Sequence, residues 1–135
     1  MSIAEMHIDE DGILHIKILE GAHITIEKSK KYYDLSRQLL GDKKALVLVD
    51  GSMKFTITKE ARIFAASAEA SAYRVASAVV TNSIINKLIV NWYIRFNKPV
   101  VPTKLFSSKE SALKWLKTFY VMPGDKYLKP RKNSF

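Results

Sequence analysis

Five consecutive apolar residues, Ala45-Leu46-Val47-Leu48-Val49, closed by Asp50, constrain the fold more than any other feature of this chain. A strand with one wet face alternates apolar and polar side chains. A run without alternation must be screened from water on both faces, as in the middle of a sheet covered by helices on either side. That demands helices above and below, and hence a layered α/β structure. The chain is long enough to build it: 135 residues, 47% of them hydrophobic and 26% charged, are ordinary for one globular domain.

The flanking pattern supplies the other layers. Apolar residues alternate through Ala4, Met6 and Ile8 and again through Leu14, Ile16 and Ile18, a β-hairpin signature. A loop of Glu10-Asp11-Gly12 with Gly12 in the left-handed region pairs Ile8 with Leu14 and Met6 with Ile16. On the opposite face the same register pairs His7 with His15 and Glu5 with Lys17. Thr25 then caps a helix that carries Glu27 in its first turn and ends at Gly41. After Asp50 the chain turns through 51–57, and Thr58 caps a second helix with Ala61, Ile63, Phe64 and Ala65. The Ala- and Ser-rich stretch 65–76 has no clear boundary. Val75 to Thr81 reads as another buried strand, followed by a third helix from about Asn82 to Phe96. Pro99 and Pro102 flank a segment leading to Thr103-Lys104-Leu105-Phe106, placed at a sheet edge because proline is tolerated there. Ser107, with Glu110 three residues on, opens a last helix through Leu113, Leu116 and Phe119. Hairpin, then alternating helices and strands, gives a mixed sheet of about five strands in a single domain over 1–122. A basic, loose tail over 123–135 is expected to follow.

Four stretches carry a family resemblance. They are Leu46-Val47-Leu48-Val49-Asp50, Thr58-Lys59-Glu60-Ala61-Arg62, Asn91 to Phe96 running into Asn97-Lys98-Pro99, and Pro102-Thr103-Lys104-Leu105-Phe106. Together they resemble a group of small bacterial proteins of unknown function with the STAS, or SpoIIAA-like, fold of anti-sigma-factor antagonists. The similarity runs from about Ile13 to Leu116. In such antagonists the loop after the central strand carries a serine that a partner kinase phosphorylates. Here that loop offers Ser52, Thr56 and Thr58, without the Asp-Ser-Ser-Gly-like run of the motif. The resemblance implies a cytoplasmic, non-enzymatic regulatory or protein-interaction domain with a protein partner.

Asp50, Ser52, Thr56 and Thr58 are therefore the first candidate interaction or phosphorylation site, at the carboxyl end of the central strand, where open α/β sheets form crevices. A phosphate on Thr56 or Thr58 would lie near a helix N-terminus. The same residues also suit a strand end, a turn and an N-cap. On the third helix, Ile84, Ile85, Leu88, Ile89, Trp92 and Phe96 share an arc of about 140°, read as the core face. Val90 and Ile94, with Tyr93 between the two arcs, fall on the other side and are read as a self-association surface, pointing to a homodimer.

Chemistry is mostly excluded. With no cysteine there is no disulfide, thiol catalysis or cysteine-based zinc site. His7 and His15 are read as a solvent-facing pair without a third ligand, so no metal or other cofactor is expected. No Gly-rich phosphate loop, nucleophile elbow or HExxH pair occurs, and no enzyme activity is expected. The net charge of +9 gathers on Lys28, Lys30, Lys31 and Arg37 and on Lys126, Lys129, Arg131 and Lys132. It permits polyanion binding, but the aromatics lie at core spacing and nucleic acid is not the expected partner. The chain shows no signal-peptide pattern, and no stretch approaches the roughly 18 apolar residues of a membrane span, so no membrane association is expected. Two rival functions remain. One is a binding module for a small apolar or anionic ligand, which requires a cavity of a few hundred Å³ lined by the third helix; the other is polyanion binding through the first helix and tail.

Overall fold

The computed structural model describes residues 2–121 and 128–130. Its main sheet has five strands: β1 (Ala4–Ile8), β2 (Leu14–Ile18), β4 (Ala45–Asp50), β6 (Arg74–Val80) and β7 (Thr103–Phe106), in the order β1-β2-β4-β6-β7. β1 runs antiparallel to β2 and every other neighbouring pair is parallel. β4 is thus the middle strand, with Ala45, Leu46, Val47 and Leu48 all buried. The hairpin register is the one the alternation predicts, Ile8 opposite Leu14, Met6 opposite Ile16, His7 opposite His15 and Glu5 opposite Lys17. Gly12 takes φ 81°, the left-handed turn position.

Alternate residues of the middle strands serve opposite layers. Ile13, Leu46, Leu48, Ala76, Ala78 and Val80 pack against Ala112 and Leu116 of α5 (Lys109–Leu116). On the other face, Leu14, Ala45 and Val47 meet Tyr73 and Leu40 of α1 (Ile26–Leu40). The Tyr33 ring of α1 stands edge-on to Tyr73 and to Phe64 of α2 (Lys59–Ala66). The short α3 (Ala68–Ser71) leads into β6. Burying each large aliphatic of these layers contributes about 1.5–3 kcal/mol.

The caps follow local chemistry. Thr25 Oγ1 accepts the Lys28 amide at 3.3 Å, and α1 ends at Gly41, φ 66°. Thr58 Oγ1 accepts the Ala61 amide at 3.2 Å. The last helix is capped by Ser108 rather than Ser107, because Ser108 Oγ is the one that accepts the Ser111 amide, at 3.1 Å. Two short strands escape the sequence pattern: β3 (Ala22–Ile24), ahead of α1, and β5 (Phe55–Ile57), inside the expected turn after Asp50, which pair in parallel. The expected tail 123–135 lies largely outside the described residues. Within it, β9 (Leu128–Pro130) pairs antiparallel with β8 (Phe119–Val121).

The third helix corrects the sequence reading. α4 (Ile84–Trp92), capped by Ser83 and continued by a π-helical turn over Tyr93–Asn97, is rotated so that five of the six residues of the arc taken for core face out, while Ile89 stays partly buried. Ile84 is 77% and Leu88 65% exposed, and Ile85, Trp92 and Phe96 are exposed with them. Val90, taken for a surface residue, is 6% exposed, while Tyr93 and Ile94 are half-buried. The reason is one polar residue. Asn86, 3% exposed, donates Nδ2 to the carbonyls of Gly51 at 2.7 Å and Met53 at 2.8 Å. Apolar residues lie on nearly every side of this helix, so the face that also offers a hydrogen-bonding anchor turns inward.

Candidate functional site

Between the sheet and the layer of α1, α2 and α4 lies a cavity of about 210 Å³. Its floor includes Met6, Ile16, Val49 and Val79 from the strands; α4 contributes Ile89 and Val90, and the π-helical turn contributes Tyr93. Part of its space arises from small residues where a core would carry large ones. Ala65, Ala70, Ser71 and Ser77 all line it. Ser36, buried on α1, turns its hydroxyl back to the Tyr32 carbonyl at 2.9 Å and adds little bulk.

The wall is apolar except for a few placed groups, which is the usual make-up of a small-ligand site. Two guanidiniums enter the lining, Arg62 and Arg74, and no aspartate or glutamate does. Arg62 donates Nη1 to the Ile57 carbonyl at 3.1 Å, while its buried Nε has no partner. Arg74, the first residue of β6, lies over the Tyr73 ring at 5.2 Å. It donates Nε to Tyr73 Oη at 3.1 Å and Nη1 to Ser77 Oγ at 3.2 Å. Burial pushes the Tyr93 hydroxyl above its ordinary value, and the nearby positive charge of Arg74 pulls the other way.

The residues singled out from the sequence sit elsewhere. Asp50, Ser52, Thr56 and Thr58 lie at the carboxyl end of β4 and along β5, and none lines the cavity. Each is used locally. Asp50 Oδ1 accepts the Ser52 amide at 3.0 Å, Thr56 Oγ1 shares a 2.7 Å hydrogen bond with His23 Nδ1, and Thr58 is the α2 cap. Val90 and Tyr93, read as an outer surface, line the cavity instead. His7 and His15 do stand opposite, with rings stacked at 4.6 Å, but only His7 faces solvent. His15 is buried and holds Asp9 Oδ2 at 2.7 Å. Among the described residues no group of three metal-binding side chains occurs, and no helix is long and apolar enough to cross a membrane. The sequence reading missed Arg62 and Arg74. The available signal was an arginine opening an otherwise apolar strand beside a run of small residues.

This architecture is the SpoIIAA-like fold. It is similar to the crystal structure of an uncharacterised DUF3478-family protein from Shewanella loihica PV-4 described as having that fold, with TM-score 0.57, 18% identity, and 84% of this chain and 91% of that one covered. A protein of unknown function from Arthrobacter sp. FB24 aligns at 26% identity over 84% of this chain and 98% of its own, with TM-score 0.33. No curated protein matches the chain. The chain belongs to the family described as a domain of unknown function, DUF7793, whose model matches residues 6–120.

Proposed function

We propose that this chain is a non-enzymatic module that binds a small, largely apolar ligand between its sheet and the α1/α2/α4 layer. The observation that supports this reading is the cavity itself. It is a half-open cleft of about 210 Å³ with a largely apolar wall and a few polar groups, and a ligand seated in it would take that apolar wall out of water. A neutral fluorescent probe such as N-phenyl-1-naphthylamine tests it. Saturable binding of one equivalent is expected, lost in Val79→Phe, which fills the space from β6, and kept in Leu88→Glu, which alters only the exposed α4 face. Binding that survives Val79→Phe and fails in Leu88→Glu would move the site to the surface and reject the cavity.

A second reading concerns that exposed face, and its occupant is a second copy of the chain. Ile84, Ile85, Leu88, Trp92 and Phe96 form one outward strip, with the Trp92 and Phe96 rings 4.3 Å apart. At on the order of 100 Å² each, they offer about 500 Å², a large patch for a monomer and most of the roughly 800 Å² per partner of a standard interface. This shifts the self-association surface from Val90, Tyr93 and Ile94 to the opposite side of the same helix. Light scattering on wild type decides it, since a monomer at high concentration rejects the dimer.

A further inference from the structure

Arg62 and Arg74 are half-buried in the apolar wall, and a guanidinium drawn partly out of water ordinarily finds a carboxylate partner. Among the described residues, neither Arg62 nor Arg74 pairs with a carboxylate; the His15–Asp9 hydrogen bond and the Lys117–Asp11 ion pair both lie away from this cavity. Arg74 is nonetheless held rigidly. Its Nε and Nη1 are committed to Tyr73 and Ser77, and its guanidinium carbon lies 5.2 Å from the centre of the Tyr73 ring. Tyr93 lines the same cavity as Arg74. A cation tethered by two hydrogen bonds, with a tyrosine hydroxyl in the same lining and no carboxylate beside them, set in an otherwise apolar cleft, describes a receptor for one anionic head on an apolar body.

We infer that the ligand is an amphipathic monoanion, an apolar chain or ring system bearing a single carboxylate-type head, and that Arg74, assisted by Tyr93, receives the head while Ile16, Val49, Val79 and Ile89 hold the body. This rests on the cavity reading above and adds the charge of the ligand to it. The unpaired Nε of Arg62 supplies a second positive group in the same wall.

The test compares ligands that differ only in the head. Displacement of N-phenyl-1-naphthylamine is measured for dodecanoate, dodecanol and dodecyltrimethylammonium, with acetate as the head alone. Dodecanoate is expected to bind at least about tenfold more tightly than dodecanol, the size of one charge-assisted hydrogen bond, with the ammonium weakest and acetate inactive. Arg74→Met should remove most of the dodecanoate advantage while leaving dodecanol within about twofold. Tyr93→Phe should reduce the advantage in part. Lys114→Gln, which deletes the same charge from the exposed surface of α5, should leave the ratio unchanged. Equal binding of dodecanoate and dodecanol to wild type overturns the inference and leaves the cavity reading standing. An advantage that falls equally in Lys114→Gln reduces it to the general +9 charge and overturns it as well. If the probe binds but no long-chain ligand displaces it, this inference falls and the cavity reading stands; if the probe itself does not bind, the cavity reading falls, and this inference with it.

Discussion

Asn86 Nδ2 lies 2.7 Å from the carbonyl oxygen of Gly51, so one side chain of α4 is bonded into the loop that leaves the central strand. Its second bond, to Met53 at 2.8 Å, closes a clamp between that loop and the helix. The clamp sets the rotation of α4, and the rotation decides which side chains face the cavity and which face water.

Replacing Asn86 by leucine should therefore cost about 2–4 kcal/mol, because two backbone carbonyls lose their donor and a bulkier group enters a buried site. Urea unfolding would read the loss as a lower midpoint at constant slope. A change under about 0.5 kcal/mol would mean that apolar packing alone orients the helix.

The two sides of α4 should respond oppositely to charge. Leu88→Glu lies in solvent and should change stability by no more than about 0.5 kcal/mol while lowering any self-association. Val90→Glu places a carboxylate in a buried position and should cost more than about 3 kcal/mol or abolish folding. Circular dichroism melts of the pair settle the orientation without reference to function.

Most of the scaffold is legible in the sequence because it follows from short-range rules. Alternation gives the β1–β2 register, the unbroken run 45–49 gives the middle strand, and Thr25, Gly41 and Thr58 declare their caps. What fails is what depends on three dimensions. β3 and β5 are too short for periodicity to mark, and each finds its partner across more than thirty residues of chain. The helical wheel of α4 offers two apolar arcs, and only the distant carbonyls of Gly51 and Met53 choose between them. The cavity was legible only as a condition to be met. Small residues such as Ala70 and Ser77 are compatible with close packing or with a void, and the sequence does not say which.

Thr58 separates a structural hydroxyl from a regulatory one. As the α2 cap, its loss in Thr58→Ala should cost about 1 kcal/mol, whereas Thr58→Asp should stay within a few tenths, since aspartate caps equally well and its charge suits the helix dipole. Ser52→Ala, at an exposed position whose hydroxyl makes no hydrogen bond among the described residues, should be neutral. Thermal midpoints of the three variants test the ranking, and equal effects at both positions would show that capping is not what Thr58 contributes.

Asp9 ties the hairpin loop to the buried His15. Burial alone would raise its carboxyl, but the hydrogen bond from His15 at 2.7 Å and the amides of Ile13 at 3.0 Å and Asp11 at 2.9 Å outweigh it and hold the group below its ordinary value. In the unfolded chain the same carboxyl titrates near about 3.9, so on acidification the unfolded state takes up the proton first. The stabilisation is complete above about pH 5 and is lost as pH falls from there through the lowered native value. Asp9→Asn removes the charge that makes these bonds strong, so its deficit against wild type should be constant between about pH 5 and 6 and should shrink steadily below about pH 4. Urea midpoints measured for both proteins across that range give the answer, and a deficit that widens in acid would show that the native fold holds the carboxyl above its unfolded value instead.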